Sequence, residues 1–323
     1  MTRRDIEPLT TVTVGAIEPS PEGERWLVRS LWPASAVGLI AGTPKVCKTW
    51  LSIDLAVSVA SGTSCLQHFP VDLPGPVLAF FAEDSLVRIH ERIEGIARHR
   101  GLDLGRLRLH LITEPALRLD RAGDVERLFA TVAALQPRLL LLDPFVRIQA
   151  INENDAGEVS AVLARLRQLQ RAHDLAIALV HHARKNGART GGESLRGSGD
   201  LYAWGDTYAY MYRSKDALRL VLEHRYEQPI APVTLRMVNS DREPAHLELS
   251  ASADPPSDPP LNDAILRCLT QAGAPLTRTV LRERLRVKNQ CLGQALDTLV
   301  AAGVVERSPN GWSVPEHRSV PAL

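Results

Sequence analysis

Gly42-Thr43-Pro44-Lys45-Val46-Cys47-Lys48-Thr49 fits the phosphate-loop pattern G-x-x-x-x-G-K-[ST] at every fixed position but the second glycine, where Cys47 stands. The flanks suit the motif. Residues 36–41 (Ala-Val-Gly-Leu-Ile-Ala) read as a short buried strand, and 48–61 as the helix that follows. In such a strand–loop–helix, successive backbone N–H groups and the helix N-terminus wrap the phosphates of a nucleotide. Lys48 is placed to reach the β/γ-phosphates of ATP and the Thr49 hydroxyl to hold Mg²⁺, while Gly42, Thr43, Pro44, Lys45, Val46 and Cys47 form the cradle. A glycine ahead of the lysine normally lets the backbone approach without a Cβ in the way. Cys47 puts a Cβ and a sulfur there, so it bears directly on turnover.

A length of 323 residues suits one sizeable α/β domain plus a smaller one. With 38 basic against 37 acidic residues, no whole-molecule field draws the chain to nucleic acid, and any such contact has to come from a local patch. Cys47, Cys65, Cys268 and Cys291 lie far apart with no C-x-x-C pair, which argues against a zinc site or disulfide framework and for a reducing cytoplasm. The paired Arg3-Arg4 precede no apolar run, so no signal peptide is predicted. No apolar stretch approaches membrane-spanning length, and no membrane partner is expected.

Residues 1–35 hold several prolines and little periodicity and read as an N-terminal arm, with Trp26 and Trp32 as anchors. From Ala36 onward, strand-like runs at 37–41, 77–82, 107–112, 139–143 and 175–180 alternate with helical segments at 49–61, 85–100, 121–135 and 156–173. That alternation predicts a mainly parallel sheet covered on both faces. Four further runs (207–212, 217–225, 233–238, 245–249) predict an antiparallel extension, closing a domain at 36–249. Residues 250–260 carry four prolines among small polar residues and form an extended linker. Helices at 261–272, 277–285 and 288–302, then a hairpin around Asn310-Gly311, describe a winged helix-turn-helix over 261–314, leaving 315–323 as a tail.

The chemistry-bearing residues fall at strand ends. Leu139-Leu140-Leu141-Leu142-Asp143 is an apolar strand that delivers a carboxylate to the sheet edge, where it can meet the Thr49-bound Mg²⁺. Val77–Ala82 ends in Glu83-Asp84. Glu83 is suited to polarise an attacking water, and Asp84 or Ser85 to cap the next helix. Val180-His181-His182 closes a third strand. A histidine there is placed to sense a γ-phosphate, and a purely structural hydrogen bond is the bland alternative. The polar loop that follows carries Arg184, Lys185, Arg189 and Arg196, suited to a neighbouring subunit's nucleotide or to DNA, or else simply solvated.

The ordered set GTPKVCKT, FFAED, LLLLDP, LVHHARK and SLRGSGDLYAWGD resembles the RecA-like P-loop ATPases of the plasmid-type hexameric replicative helicase group, over residues from about 25 to 250. The resemblance implies ATP and Mg²⁺ bound between the subunits of a homo-oligomeric ring, with DNA passing through it and other replication or mobile-element proteins as partners. It assigns Lys48 and Thr49 to the phosphate loop, Glu83 to catalysis, Asp143 to the metal and His182 to γ-phosphate sensing. Arg196 lies in the motif bordering the family's interface arginine, and either it or Arg213 fills that part. Cys47 is the departure.

In the C-terminal segment, Arg278, Arg282, Arg284, Arg286 and Lys288 face only Glu283 across 278–288, a cluster suited to DNA phosphates before a recognition-type helix. Protein docking is the other use of such a module, and a solvated basic face that meets no nucleic acid is the bland alternative. The sequence therefore predicts a DNA-acting, helicase-like ATPase. Two rivals stand beside it: a nucleotide-binding regulator or adaptor with little hydrolysis, and a DNA-binding repressor that keeps the domain only to oligomerise. Retention of Lys48, Glu83 and Asp143 argues against the last.

Overall fold

The computed structural model describes residues 9–17, 25–151, 153, 155–183, 194–195, 199–214, 217–228, 230–240, 243–250, 261–285, 287 and 289–315. The expectations placed on Arg184, Lys185, Arg189, Arg196, Arg286 and Lys288 lie outside these residues. The chain divides into two compact units, residues 1–251 and 252–323. No helix among the described residues is long and apolar enough to cross a membrane.

The first unit opens with a small hairpin, β1 (Trp26–Val28) and β2 (Trp32–Pro33). Leu27, Val28, Leu31 and Trp32 are buried in the main core, so that core begins before Ala36, within the segment read as an arm. Then come β3 (Val37–Gly42), α1 (Lys48–Ser61), β4 (Val77–Phe81), α2 (Leu86–His99), β5 (Leu109–Leu111), α3 (Ala122–Leu135), β6 (Leu139–Asp143), α4 (Ala156–His173) and β7 (Ala176–His182). The short α5 (Asp200–Trp204) precedes β8 (Thr207–Ser214), β9 (Ala217–His224), β10 (Val233–Ser240) and β11 (Glu243–Leu249).

Among the described residues these strands form one nine-stranded sheet, ordered β11-β10-β9-β8-β3-β7-β6-β4-β5. The six strands from β8 to β5 run parallel, and β9 to β11 add antiparallel hairpins. The strand at 207–214 was expected in the antiparallel extension. It instead pairs parallel to β3, because the chain leaving β7 returns to the starting edge through the connection containing α5 before it enters β8. The arrangement is the mainly parallel RecA-like α/β fold that the motif order implies, with one strand, β7, between the loop strand β3 and the acid-bearing β6.

Both faces are covered, which explains the near-continuous apolar runs of β3, β6 and β7. Alternate residues point to opposite faces. Ile40 packs with Leu51, Leu55 and Val59 of α1 on one side, and Val37 and Leu39 with Val159, Val162, Leu163 and Leu166 of α4 on the other. Asp155 caps α4, accepting from the Gly157 and Glu158 N–H groups at 2.9 and 3.1 Å. Ile89, Ile93 and Ile96 of α2 stand at helical spacing and bury against Ile53 and Val57 of α1.

In the second unit, α6 (Leu261–Ala272), α7 (Arg278–Leu285) and α8 (Asn289–Ala301) precede the hairpin β12 (Glu306–Ser308) and β13 (Gly311–Ser313). Ile265, Leu269, Leu281, Leu292, Leu296 and Val305 form its own core. The hairpin turns one residue earlier than its Asn-Gly pair suggests. Ser308 pairs with Gly311, so Pro309-Asn310 is the two-residue loop. Gly311 holds φ +131° in the strand, where an added Cβ would lie 2.3 Å from the Leu276 carbonyl oxygen.

Candidate functional site

The parallel register brings the predicted strand ends to one edge. Gly42 pairs with His182 and with Met211, and Phe81 pairs with Asp143. The ladder continues past the strands, with Ala82 N–H donating to the Asp143 carbonyl at 2.8 Å and Ala183 N–H to the Gly42 carbonyl at 3.0 Å. The phosphate loop, Glu83, Asp143 and His182 therefore cluster at the carboxyl ends of the strands, where open α/β sheets bind ligands.

The loop keeps its cradle despite the missing glycine. Cys47 sits in the left-handed region at φ 62° and ψ 27° as the residue preceding α1. Lys45 is left-handed too, at φ 66°. Alternation between right- and left-handed backbone turns successive N–H groups toward one concavity and suits an anion. A non-glycine residue in that region costs roughly 1–2 kcal/mol. At the other end of the loop, a Cβ on Gly42 would meet the Met211 carbonyl oxygen at 2.2 Å, so only glycine fits against β8.

Lys48 is 7% exposed and donates from Nζ to the Gly42 and Thr43 carbonyl oxygens, each at 2.9 Å. Burial pulls its pKa down, while Asp143 and Glu83 nearby push it up. Asp143 is 5% exposed and is pushed up to about 6 by that burial, against the opposing pull of a Thr49 hydrogen bond, the Lys48 charge and Ser52. Ser52 Oγ lies 3.3 Å from Asp143 Oδ2. A buried carboxylate bonded to the Thr49 hydroxyl, beside a lysine and under a nest of N–H groups, suits a nucleotide with its divalent ion. Such an ion would reverse the raised pKa.

Glu83 is exposed and accepts from Arg147 Nε at 3.0 Å, across from the turn that follows β6. Ser85 is the cap of α2, accepting from the Arg88 N–H at 3.4 Å. Asp84 pairs with Arg92 instead, Nη1 to Oδ2 at 2.7 Å. The Arg92 guanidinium also lies 5.5 Å from the centre of the Trp50 ring. His181 is buried edge-on to Phe145, with ring centres 6.1 Å apart, and His182 is half-buried at the strand end.

Burial pushes the Cys47 thiol up, and the charges of Arg213, Arg92 and Lys48 pull it back. Arg213, on β8, is thus close to the phosphate loop of its own chain. Sequence reasoning did not find Arg92 or Arg147. Arg147 stands four residues after Asp143 and Arg92 eight after Asp84, spacings with no motif to mark them.

The AAA domain family matches residues 2–188, more than half of the chain and the whole stretch from the phosphate loop to His182. The chain belongs to the AAA domain family. Family and fold together make the first unit a RecA-like P-loop ATPase domain. Among solved structures, the RadB recombinase shares 18% identity with this AAA protein at a TM-score of 0.47, over 64% of this chain and 88% of that one.

Of the C-terminal residues singled out for DNA, Arg282 and Arg284 are exposed on α7. Arg278 is exposed as well, but it is bonded within its own unit. Its Nη2 donates to the Asn289 carbonyl at 2.7 Å, and a Cβ on Gly293 would meet that same atom at 2.2 Å.

Proposed function

We propose that this chain binds ATP with Mg²⁺ and hydrolyses it as an oligomer acting on DNA, helicase-like, in plasmid, phage or mobile-element replication. The observation that carries the ATP half is the register that aligns Gly42, Phe81, Asp143 and His182 at one sheet edge. Lys48 binds the phosphates, and Thr49 and Asp143 hold the metal, which supplies charge neutralisation when bound. Glu83 orients and deprotonates the attacking water, and His182 faces the terminal phosphate. An arginine from the 184–213 region completes a neighbour's site.

The DNA half rests on the second unit. The order of three helices and a hairpin is compatible with a winged helix, and Arg282 and Arg284 lie exposed on α7. ATP hydrolysis measured with and without single-stranded DNA tests the whole reading, and stimulation by DNA is the expected result. Turnover that ignores DNA would remove the coupling. ATP binding without turnover would favour the regulator or adaptor, the reading that the Cys47 side chain supports by standing where the pattern has none. Light scattering with and without ATP tests assembly, and a strict monomer that still hydrolyses ATP would exclude the ring.

A further inference from the structure

Both acids that follow β4 are held by arginines, but the two pairs differ in what they join. Arg92 binds Asp84 from within α2, eight residues on, and so ties the helix to its own strand. Arg147 reaches across from the turn after β6, the strand that carries Asp143, and places its Nε 3.0 Å from Glu83 Oε1. Lys48 feels the charges of both Asp143 and Glu83. Phosphates gathered by Lys48 therefore come into a volume that Glu83 already charges negatively, and two anions there repel.

We propose that Arg147 is a positioning residue that neutralises Glu83 toward the terminal phosphate, so that ATP affinity depends on the Glu83–Arg147 pair. The inference rests on the nucleotide reading above. The Glu83 and Arg147 side chains are 47% and 62% exposed, so the effect is that of a surface ion pair, well below a hundredfold. Arg147→Gln leaves the Glu83 charge bare and weakens ATP binding by about fivefold, the upper end for such a pair. Arg147→Lys keeps the charge and stays near the parent. Glu83→Gln alone changes ATP affinity little, and the double variant returns to within about twofold of the parent, the mark of a coupled pair.

Dissociation constants for ATP and ADP, titrated for the parent and these four variants, decide it. ADP lacks the terminal phosphate, so its affinity should move by less than about twofold in every variant. Two results would overturn the proposal alone: Arg147→Gln weakening ATP and ADP equally, or a double variant as weak as Arg147→Gln. A parent that binds neither nucleotide would overturn the nucleotide reading and this proposal with it.

Discussion

Lys48 Nζ lies 2.9 Å from the carbonyl oxygen of Gly42, so the last charged residue of the loop is tied to its first residue. The ammonium is preorganised by the loop it serves, and burial already makes its charge costly to keep. Lys48→Ala should therefore fold as the parent does, yet lose ATP affinity on the order of 100-fold, the scale of charge-assisted hydrogen bonds. Nucleotide titration beside a thermal melt checks both halves. A variant that binds ATP as well as the parent does would displace the site from this loop.

Cys47 tests whether the loop needs a glycine or only its conformation. The left-handed backbone at φ 62° is already in place, at a cost of about 1–2 kcal/mol. Glycine would relieve that but give back about 0.4–1 kcal/mol through its freer unfolded chain. Cys47→Gly should thus raise the unfolding free energy by no more than about 1.6 kcal/mol while tightening ATP binding or speeding turnover. Cys47→Ala separates the causes. It keeps the Cβ, so it should resemble the parent if the Cβ is what crowds the phosphates.

Glu83 and Asp143 share one edge but differ in burial, and their variants should differ in kind. Glu83→Gln removes a base from an exposed position and should cost roughly 10²–10⁴ in turnover with ATP affinity kept. Asp143→Asn removes a buried carboxylate bonded to Thr49 and should raise the Mg²⁺ concentration needed for half-maximal activity. Steady-state rates across a Mg²⁺ series separate them. Full turnover in Glu83→Gln would move the base elsewhere.

Much of this edge was legible because a parallel sheet converts chain order into position. An apolar strand ending in Asp143, and another ending in Glu83, must both finish where the Gly42 loop begins once the strands run parallel. Helices were legible for a related reason: Val159, Val162, Leu163, Leu166 and Leu169 repeat at helical spacing and are all buried. Direction was harder to read. Nothing in Thr207–Ser214 says whether it runs with or against β3: Thr207 to Met211 are all buried, and a continuous buried run fits a strand of either direction. The edge strand β5, expected over 107–112, is only Leu109–Leu111, and among the described residues it pairs with β4 on one side alone. Arg92 and Arg147 were not legible at all. Their partners come from tertiary approach, and an exposed arginine looks the same in sequence whether it meets solvent or Glu83.

Asp54 and Arg100 form an ion pair at 2.6 Å with side chains 1% and 5% exposed, joining α1 to the residue just after α2. Asp54 also accepts from the Leu66 N–H at 2.7 Å, and Arg100 donates to Ser58 at 2.8 Å. Arg100→Ala would strand a buried carboxylate and should destabilise the protein by about 3–5 kcal/mol. Replacing both with apolar residues of like volume should cost far less, because no charge is then left unpaired. Urea unfolding of the single and double variants measures the difference. Equal losses in the two would mean that packing, not charge, holds α1 to α2.

Arg278, Arg282 and Arg284 are all exposed, and what sets Arg278 apart is a bond within its own unit, to the Asn289 carbonyl. Arg278→Ala should lower the unfolding temperature and leave DNA affinity at low salt nearly unchanged. Arg282 and Arg284 project from α7 with exposed side chains. Replacing Arg282, Arg284 and Lys288 with alanine should weaken duplex DNA binding and flatten its dependence on log salt by about 0.9 for each phosphate no longer neutralised. Both variants can be titrated in the full chain at several salt concentrations. Because the unit has its own core of Ile265, Leu269, Leu281 and Leu296, a 252–323 fragment offers the same measurement free of the nucleotide site. A folded fragment that ignores DNA at low salt would turn these arginines toward an acidic protein surface instead.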